Sequence, residues 1–227
     1  MRMTSHMPPN SPLLLRTLIL QVLGAGSDIS STKLEWTTFE PLKNPKIMEK
    51  AQNEVKGIVQ FQEKQVVDEA SIKELKYLKQ VIKETLRLDP SLPLLFPRES
   101  MEQCEIQSHN IPTKTWVVVN AWAIVKIPSV ELEQFIRDQF EDNLVDYNGT
   151  QFKLIPFGAG SPGIGLGLAK VELALATLLY YFNWKLPNGY KPQDLNMDET
   201  FDMTARWKHE YLTSLVFTLT PIYVYTK

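Results

Sequence analysis

Three glycines in the C-terminal third of the chain have the spacing of a phosphate-binding loop. Gly158, Gly160 and Gly163 spell G-x-G-x-x-G between a short apolar stretch and a long apolar helix. A dinucleotide-binding fold also needs an unbroken β-strand before such glycines and an acid about 20 residues further on. Here Pro156 interrupts the strand, and no strand ending in an acid follows. The motif is therefore a weak signal for a nucleotide site.

Two carboxylates have neighbours that could give them a chemical or structural role. Asp28 lies between Gly26 and Ser30 in an apolar helical stretch, where it could relay protons to a bound ligand; a place on a solvated face explains it equally well. Glu84 and Arg87 stand three residues apart in "KETLRL", so they can pair on one helix face. A surface pair of this kind contributes only a few tenths of a kcal/mol, and the two residues alone favour that interpretation.

Composition indicates an ordinary globular protein and excludes several classes. Of the 227 residues 44% are hydrophobic and 22% charged, and the net charge of −2 gives no electrostatic case for nucleic acid. The single cysteine, Cys104, excludes an internal disulfide and a cysteine-cluster metal site. The three histidines, His6, His109 and His209, lack metal-ligand spacing. We therefore predict neither a metal site built from these side chains nor a nucleic-acid partner.

Hydrophobic spacing predicts a mainly α chain with small peripheral β-hairpins, of the α+β class. After an irregular segment over 1–12, a long helix should run from residue 13 until Pro41 closes it. Gly26 in its middle suggests either a close approach to the backbone or a local distortion. Further helices are predicted over 44–59, with Asn44 as N-cap, over 68–90, and after the glycine loop.

Strands are predicted at the margins of this helical chain. The stretch "EIQSHNIPTKTWVVVNAWAI" reads as a hairpin with "HNIP" as its turn and a strong strand over 116–119. Alternation in "SLVFTLTPIYVYTK" predicts a second hairpin at the C-terminus, whereas 126–150 shows no clear period. The apolar run near the N-terminus is shorter than the roughly 20 residues that span a bilayer.

Taken together and in order, four stretches resemble the C-terminal half of a cytochrome P450, most closely the plant microsomal monooxygenases. They are "AGSDISS", "KETLRL" with "PLLFPRES", "IPTKTWVVVNAWAI", and "IPFGAG" continuing into "PGIGLGLAKVELALATLLYYFNWKLP". The resemblance runs from about residue 13 to about 210. It implies one domain over 13–227 that holds a partial cytochrome P450 fold, without the family's N-terminal half and membrane anchor.

The resemblance implies a heme between the long helix and the glycine loop, with a cysteine thiolate of the loop on the iron. The family pattern is Phe-Gly-x-Gly-x-Arg-x-Cys-x-Gly. This chain keeps Phe157, Gly158, Gly160 and Gly163 as heme-contacting positions but has neither the arginine nor the cysteine. We therefore interpret G-x-G-x-x-G as the two ends of a heme loop joined without the ligand. Cys104, Ser161, His109 and His209 are not expected to replace it.

Other positions also match the family, and there too some of the family's residues are replaced. The resemblance implies that Gly26 and Arg98 contact heme, and that Asp28 with Ser30 weakly serves proton delivery where the family has an acid followed by threonine. The Glu84–Arg87 pair matches the family's E-x-x-R. Its usual third partner, an arginine, is replaced by Gln139, and Arg137 lies two residues earlier.

The expected activity is that of the family: heme-dependent insertion of one oxygen atom into a hydrophobic small molecule, with electrons from cytochrome P450 reductase. Because the thiolate ligand is missing, we predict that this chain is inactive. One alternative is a non-enzymatic interaction module that self-associates or pairs with an intact relative. Another is a faulty gene model, which sequencing the transcript across 157–165 would decide. The family resides on the cytosolic face of the endoplasmic reticulum membrane; without an anchor, the chain is expected in the cytoplasm.

Overall fold

The structure, a computed structural model, describes residues 12–90, 92–126, 164–184, 186, 191–195, 198–201, 205–207 and 218–219. Its helices are α1 Pro12–Lys43, α2 Pro45–Phe61, α3 Glu69–Glu74, α4 Lys76–Leu88, α5 Ala121–Lys126 and α6 Ile164–Tyr181. Its strands are β1 Arg98–Glu99, β2 Cys104–Ile106, β3 His109–Ile111, β4 Trp116–Val117, β5 Phe182–Asn183, β6 Glu199–Phe201, β7 Ala205–Trp207 and β8 Thr218–Leu219. The strands form the antiparallel pairs β1–β4, β2–β3, β5–β8 and β6–β7. The predicted mainly helical chain with small marginal strands is confirmed.

Helices α1, α2, α4 and α6 pack on one another around the main hydrophobic core. Each contributes apolar side chains three or four positions apart, so that they lie on one face of their helix. Burying a side chain of this size contributes about 1.5–3 kcal/mol. The largest members are Trp36 and Phe39 of α1, Val55 and Val59 of α2, Leu78 and Ile82 of α4, and Leu175 and Leu179 of α6.

Helix α1 is continuous, and the end predicted for it is wrong. Pro41 lies inside the last turn and does not close the helix, which ends at Lys43. A proline there removes only one N–H donor, and its own carbonyl still accepts from the Asn44 N–H at 3.0 Å. Among the described atoms, none lies within 4 Å of the position of a β-carbon on Gly26.

The helix predicted over 68–90 is in fact two helices separated at Leu75. The Glu54 carboxylate of α2 accepts from the backbone N–H groups of Tyr77 and Leu78, at 2.7 and 2.8 Å. These two donors would otherwise bond to carbonyls four residues earlier in a continuous helix. Leu75 leaves helical backbone geometry, with ψ at 79°, and its side chain is buried in the core. Tertiary contacts therefore override local helical periodicity at this point.

The N-termini of α2 and α3 are capped differently. Asn44 occupies the N-cap position of α2, but its side chain donates to the Glu40 carbonyl at 3.5 Å and does not cap the helix, contrary to the prediction. Asp68 caps α3 by accepting from the Ser71 N–H at 2.8 Å. A hydrogen bond from the Lys64 ammonium is the main cause that holds the pKa of Asp68 far below its usual range.

The hairpin turn lies two residues before the predicted one. Gln107 and Ser108 connect β2 to β3 with φ of 49° and 65°, the left-handed pair that a tight two-residue hairpin turn requires. His109 is therefore the first residue of β3 and not part of a turn. Of the strand predicted over 116–119, only Trp116–Val117 form a strand, β4, which pairs with β1 and not with the hairpin.

Of the residues predicted to form a C-terminal hairpin, the structure describes Thr218–Leu219, which pair with β5. The predictions for 1–11, for the irregular stretch after 126 and for the glycine loop lie outside the described residues.

Candidate functional site

Glu84 and Arg87 form a buried, two-pronged ion pair on α4. The Arg87 Nε and Nη2 atoms donate to the two carboxylate oxygens of Glu84 at 2.9 and 2.8 Å. The side chains are 0% and 2% exposed, so the interpretation as a solvated surface pair is wrong. Charges taken out of water are tolerated only when hydrogen bonds of this geometry replace their hydration. The structure thus brings together the two residues that the E-x-x-R pattern singled out.

Lys33 of α1 adds a third buried charge next to α4. Its ammonium donates to the backbone carbonyl of Asp89, the C-cap residue of α4, and only 2% of Lys33 is exposed. The carbonyls at the end of a helix carry partial negative charge, so a cation placed there is favoured. This hydrogen bond fixes the C-terminus of α4 against the middle of α1.

Glu40, two turns further along α1, lies near the Glu84 carboxylate. Burial raises the pKa of Glu40; Lys43 lowers it to a smaller extent, and the negative charge of Glu84 raises it again. Because desolvation is the largest cause, the net direction is upward from the ordinary value of 4.5. The α1–α4 interface therefore holds a carboxylate whose ionisation opposes folding.

The three predicted residues of the α1 midsection lie together within one turn. Gly26, Asp28 and Ser30 are each half-buried, and the Ser31 hydroxyl donates to the Asp28 carbonyl at 3.0 Å. The open space beside Gly26 leaves room for a group larger than hydrogen along this part of α1. The proposed proton-delivery role of Asp28 and Ser30 remains a prediction.

The remaining predicted heme contacts come from separate elements. Arg98 is on β1, opposite Val117 of β4, and its side chain is exposed. Phe157, Gly158, Gly160 and Gly163 lie outside the described residues, as do Arg137 and Gln139. Helix α6 begins at Ile164, directly after the glycines, as the sequence predicts.

The one cysteine of the chain lies on an exposed hairpin. Cys104 opens β2 opposite Ile111, and every residue from 101 to 110 is exposed. His109 is on the same hairpin, with its Nδ1 atom 2.9 Å from the Gln107 carbonyl oxygen. Within the described part of the chain, no three His, Cys, Asp or Glu side chains are grouped as metal ligands.

Sequence reasoning missed Lys33, Glu40 and Glu54. Lys33 and Glu40 share one face of α1 with Trp36, at intervals of three and four residues, and this spacing was an available signal. Glu54 gave no such signal, because its role at the start of α4 depends on how α2 and α4 pack.

Comparisons with known proteins agree with this arrangement. The family model for cytochrome P450 matches residues 11–210, and the chain belongs to that family. The chain is 51% identical over 208 residues to desmethyl-deoxy-podophyllotoxin synthase of Sinopodophyllum hexandrum, covering 89% of this chain and 41% of that protein. It is 49% identical over 197 residues to salviol synthase of Salvia pomifera, covering 85% and 39%. The chain thus spans about two fifths of the length of these plant relatives.

A solved structure of a zebra fish cytochrome P450 with abiraterone has the same fold over the matched part. Its TM-score is 0.73 at 24% sequence identity, and the match covers 88% of this chain and 45% of that one. The partial cytochrome P450 fold predicted from the sequence is confirmed. Heme is the cofactor of the family, which generally uses a redox partner and hydrophobic substrates.

No described atom lies within 4 Å of the position of a β-carbon on Gly26, and the same holds for Gly57, Gly165 and Gly167, so this feature does not single out a heme-binding face. The donor set does not suit the family's heme, since the family's iron takes a thiolate and Cys104 lies on an exposed strand. The residues present therefore do not fit a thiolate-ligated heme.

Removing one member of the buried pair should be costly. We expect Arg87→Met to lower the free energy of unfolding by about 3–5 kcal/mol, because the Glu84 carboxylate loses its two-pronged partner. Lys64→Ala, which removes the Lys64–Asp68 pair at 2.6 Å on the surface, should cost far less, because solvent screens that pair. Urea titration followed by circular dichroism measures both. The double variant Glu84→Gln with Arg87→Met should recover much of the loss; equal costs for Arg87→Met and Lys64→Ala would contradict the argument.

The buried Glu40 should make stability fall as pH rises. Its raised pKa means that the stability it contributes is fully present below the unfolded value and is lost as pH rises through the folded value. Glu40→Gln should therefore raise the midpoint of thermal unfolding at pH 7, and the gain should vanish near pH 4. Glu49→Gln, at an exposed position of α2, is the matched control and should leave the midpoint of thermal unfolding unchanged at both pH values. A gain that grows toward low pH would disprove the assignment.

Proposed function

We propose that this chain is a cytochrome P450-family protein that keeps the family's helical core but does not ligate heme iron through a thiolate. It therefore does not carry out monooxygenation by itself. The position of Cys104 is the observation that carries the proposal. That side chain, the only thiol available, projects from an exposed hairpin and not from the loop that leads into α6.

The described residues support one further feature of the family's activity, a hydrophobic ligand. The side chains of Leu94 and Phe96 are about half exposed, beside the strand that carries Arg98. With the apolar stretches over 23–30 and 212–216, they favour a hydrophobic small molecule as the ligand of the ancestral site. The same ancestral protein would have received electrons from the reductase and would have resided on the cytosolic face of the endoplasmic reticulum membrane. Among the helices that the structure describes, none is long and apolar enough to cross a membrane.

A heme titration tests this proposal directly. The purified chain is mixed with heme, reduced, and its absorbance recorded before and after carbon monoxide, with Cys104→Ser as the matched control. We expect no strongly red-shifted Soret band, and identical spectra for the two proteins, since the iron has no thiolate to push electron density onto it. A red-shifted band that disappears in Cys104→Ser would overturn the proposal.

We propose as a second candidate a non-enzymatic module that acts by association. The observation that favours it is the exposure of Leu15 and Ile19, at 61% and 48%, one turn apart on the first half of α1. Apolar side chains at this spacing form a stripe of the kind that packs on another helix. The partner is a second copy of the chain or an intact relative.

If the chain associates through α1, it should form an oligomer of fixed mass, and charged substitutions on α1 should abolish that oligomer. Leu15→Glu with Ile19→Glu should convert an oligomer of fixed mass into a monomer, because two carboxylates cannot be buried unpaired in an apolar contact. Size-exclusion chromatography with light scattering measures the mass. Phe61→Glu with Val66→Glu, at positions 90% and 57% exposed near the end of α2, is the matched control. Aggregates of indefinite mass, or a monomeric parent chain, would rule this candidate out.

A further inference from the structure

The break between α3 and α4 has no cause in the sequence around it. Glu74, Leu75 and Lys76, the residues at the break, are all strong helix formers, and residues 69–88 include neither proline nor glycine. A helix without these residues breaks where a bulge occurs or where a side chain enters its ladder of backbone hydrogen bonds. Here that side chain is Glu54 of α2, whose two carboxylate oxygens accept from the second and third N–H groups of α4.

The buried apolar side chains on both sides of the break also fit a single helix. Ile72, Leu75, Leu78 and Ile82 follow one another at intervals of three or four residues, and all four are buried in the main core. Such intervals place side chains on one face of a continuous helix. The apolar pattern therefore does not require α3 and α4 to be separate.

The separate helices are weak at the point where they meet. Helix α3 has only six residues, and Leu75, the N-cap residue of α4, supplies no side-chain cap. The Leu75 N–H donates to the Ile72 carbonyl at 3.2 Å, and the Lys79 N–H donates to the Leu75 carbonyl at 3.4 Å, which are long hydrogen bonds. In a continuous helix, the N–H groups of residues 76–78 would instead bond to the carbonyls of residues 72–74.

Two contacts that hold the broken form come from α2. Glu54 accepts from the N–H groups of α4 at 2.7 and 2.8 Å. Gln62, the C-cap residue of α2, accepts from the Ser71 hydroxyl of α3 at 2.8 Å. A hydrogen bond is lost once its heavy atoms are more than about 3.5 Å apart. A displacement of α2 by one or two ångströms, on the order of that difference, would therefore release both helices.

We propose that the joint at Leu75 is a two-state element controlled by α2. The joint is broken while the Glu54 carboxylate caps α4. When α2 moves away from α4 or loses this carboxylate, residues 69–88 form one helix. Because α3 contacts both α2 and α6, a change in its direction repacks that side of the core. The joint thereby transmits a displacement of α2 to the helix that carries Glu84 and Arg87. This proposal does not depend on heme ligation or on association through α1.

Removal of the carboxylate tests the proposal. Glu54→Ala is compared with the parent chain by NMR, through the Leu75 Cα chemical shift and the hydrogen exchange of the Lys76 amide. We expect the Leu75 shift to become helical. The Lys76 amide should exchange about tenfold more slowly or less, because its N–H gains the Ile72 carbonyl as an acceptor within the helix.

Gln52→Ala is the matched control. Gln52 lies two residues before Glu54 on α2, and its amide donates to the carbonyls of Phe182 and Leu179, at 2.8 and 3.5 Å, at the end of α6. This substitution also removes two hydrogen bonds between α2 and another helix. It should leave the Leu75 shift and the Lys76 exchange rate at their parent values, because neither bond involves the joint.

A proline at the start of α4 should block the continuous form. Proline is tolerated at the first position of a helix, so Lys76→Pro alone should leave the Leu75 shift non-helical, as in the parent. Proline lacks the N–H that the continuous helix needs at this position, and it disfavours helical geometry in the residue before it. Lys76→Pro added to Glu54→Ala should therefore return the Leu75 shift to its non-helical value.

Several outcomes would overturn the proposal. In one, the Leu75 shift of Glu54→Ala stays non-helical while the amides of residues 76–78 exchange faster, which would make Glu54 a cap and nothing more. In another, Gln52→Ala changes the joint as much as Glu54→Ala does. If Glu54→Ala does not fold, Glu54→Gln decides, since it keeps the shape and one acceptor oxygen: an intermediate Leu75 shift supports the proposal, and the parent value contradicts it. None of these measurements involves the carbon monoxide spectrum or the mass of an oligomer.

Discussion

Burial of the ion pair between the Glu84 carboxylate and the Arg87 guanidinium is the constraint on which the packing of α4 depends. A charge without water must be matched by hydrogen bonds, and here each prong of Arg87 meets one oxygen of Glu84. The buried Lys33 of α1, bonded to the Asp89 carbonyl at the C-cap of α4, links α1 to this helix. Glu40 opposes this arrangement, since its burial next to Glu84 disfavours its ionised form.

Helix α1 consequently has two ends of different character. From Lys33 onward its side chains are mostly buried against the other core helices. Around Gly26 and Asp28 they are half-buried, with open space beside the backbone, and Leu15 and Ile19 are exposed. The buried end supports the fold, and the open end is where a ligand or another polypeptide would lie.

The two strand pairs at the margin of the fold also differ in the polarity of their exposed side chains. The β2–β3 hairpin, which carries Cys104, includes Glu105, His109 and Asn110 in its strands and is exposed from Cys104 to Asn110. The antiparallel β1–β4 strand pair, only a few residues away in the chain, carries Trp116, whose side chain is 66% exposed.

The amino-acid sequence by itself determined the family, the mainly helical class, the helices α1, α2 and α6, and the absence of a cysteine from the glycine loop. These follow from local periodicity and from residue identities, which need no partner elsewhere in the chain. Only the tertiary structure decided that Glu84 and Arg87 are buried, that Glu54 ends the helical run at Leu75, and that β4 pairs with β1 and not with the nearby hairpin. Each depends on a contact between segments distant in sequence. At such contacts, burial of side chains and the formation of new hydrogen bonds contribute more than the few tenths of a kcal/mol by which local secondary-structure propensities differ.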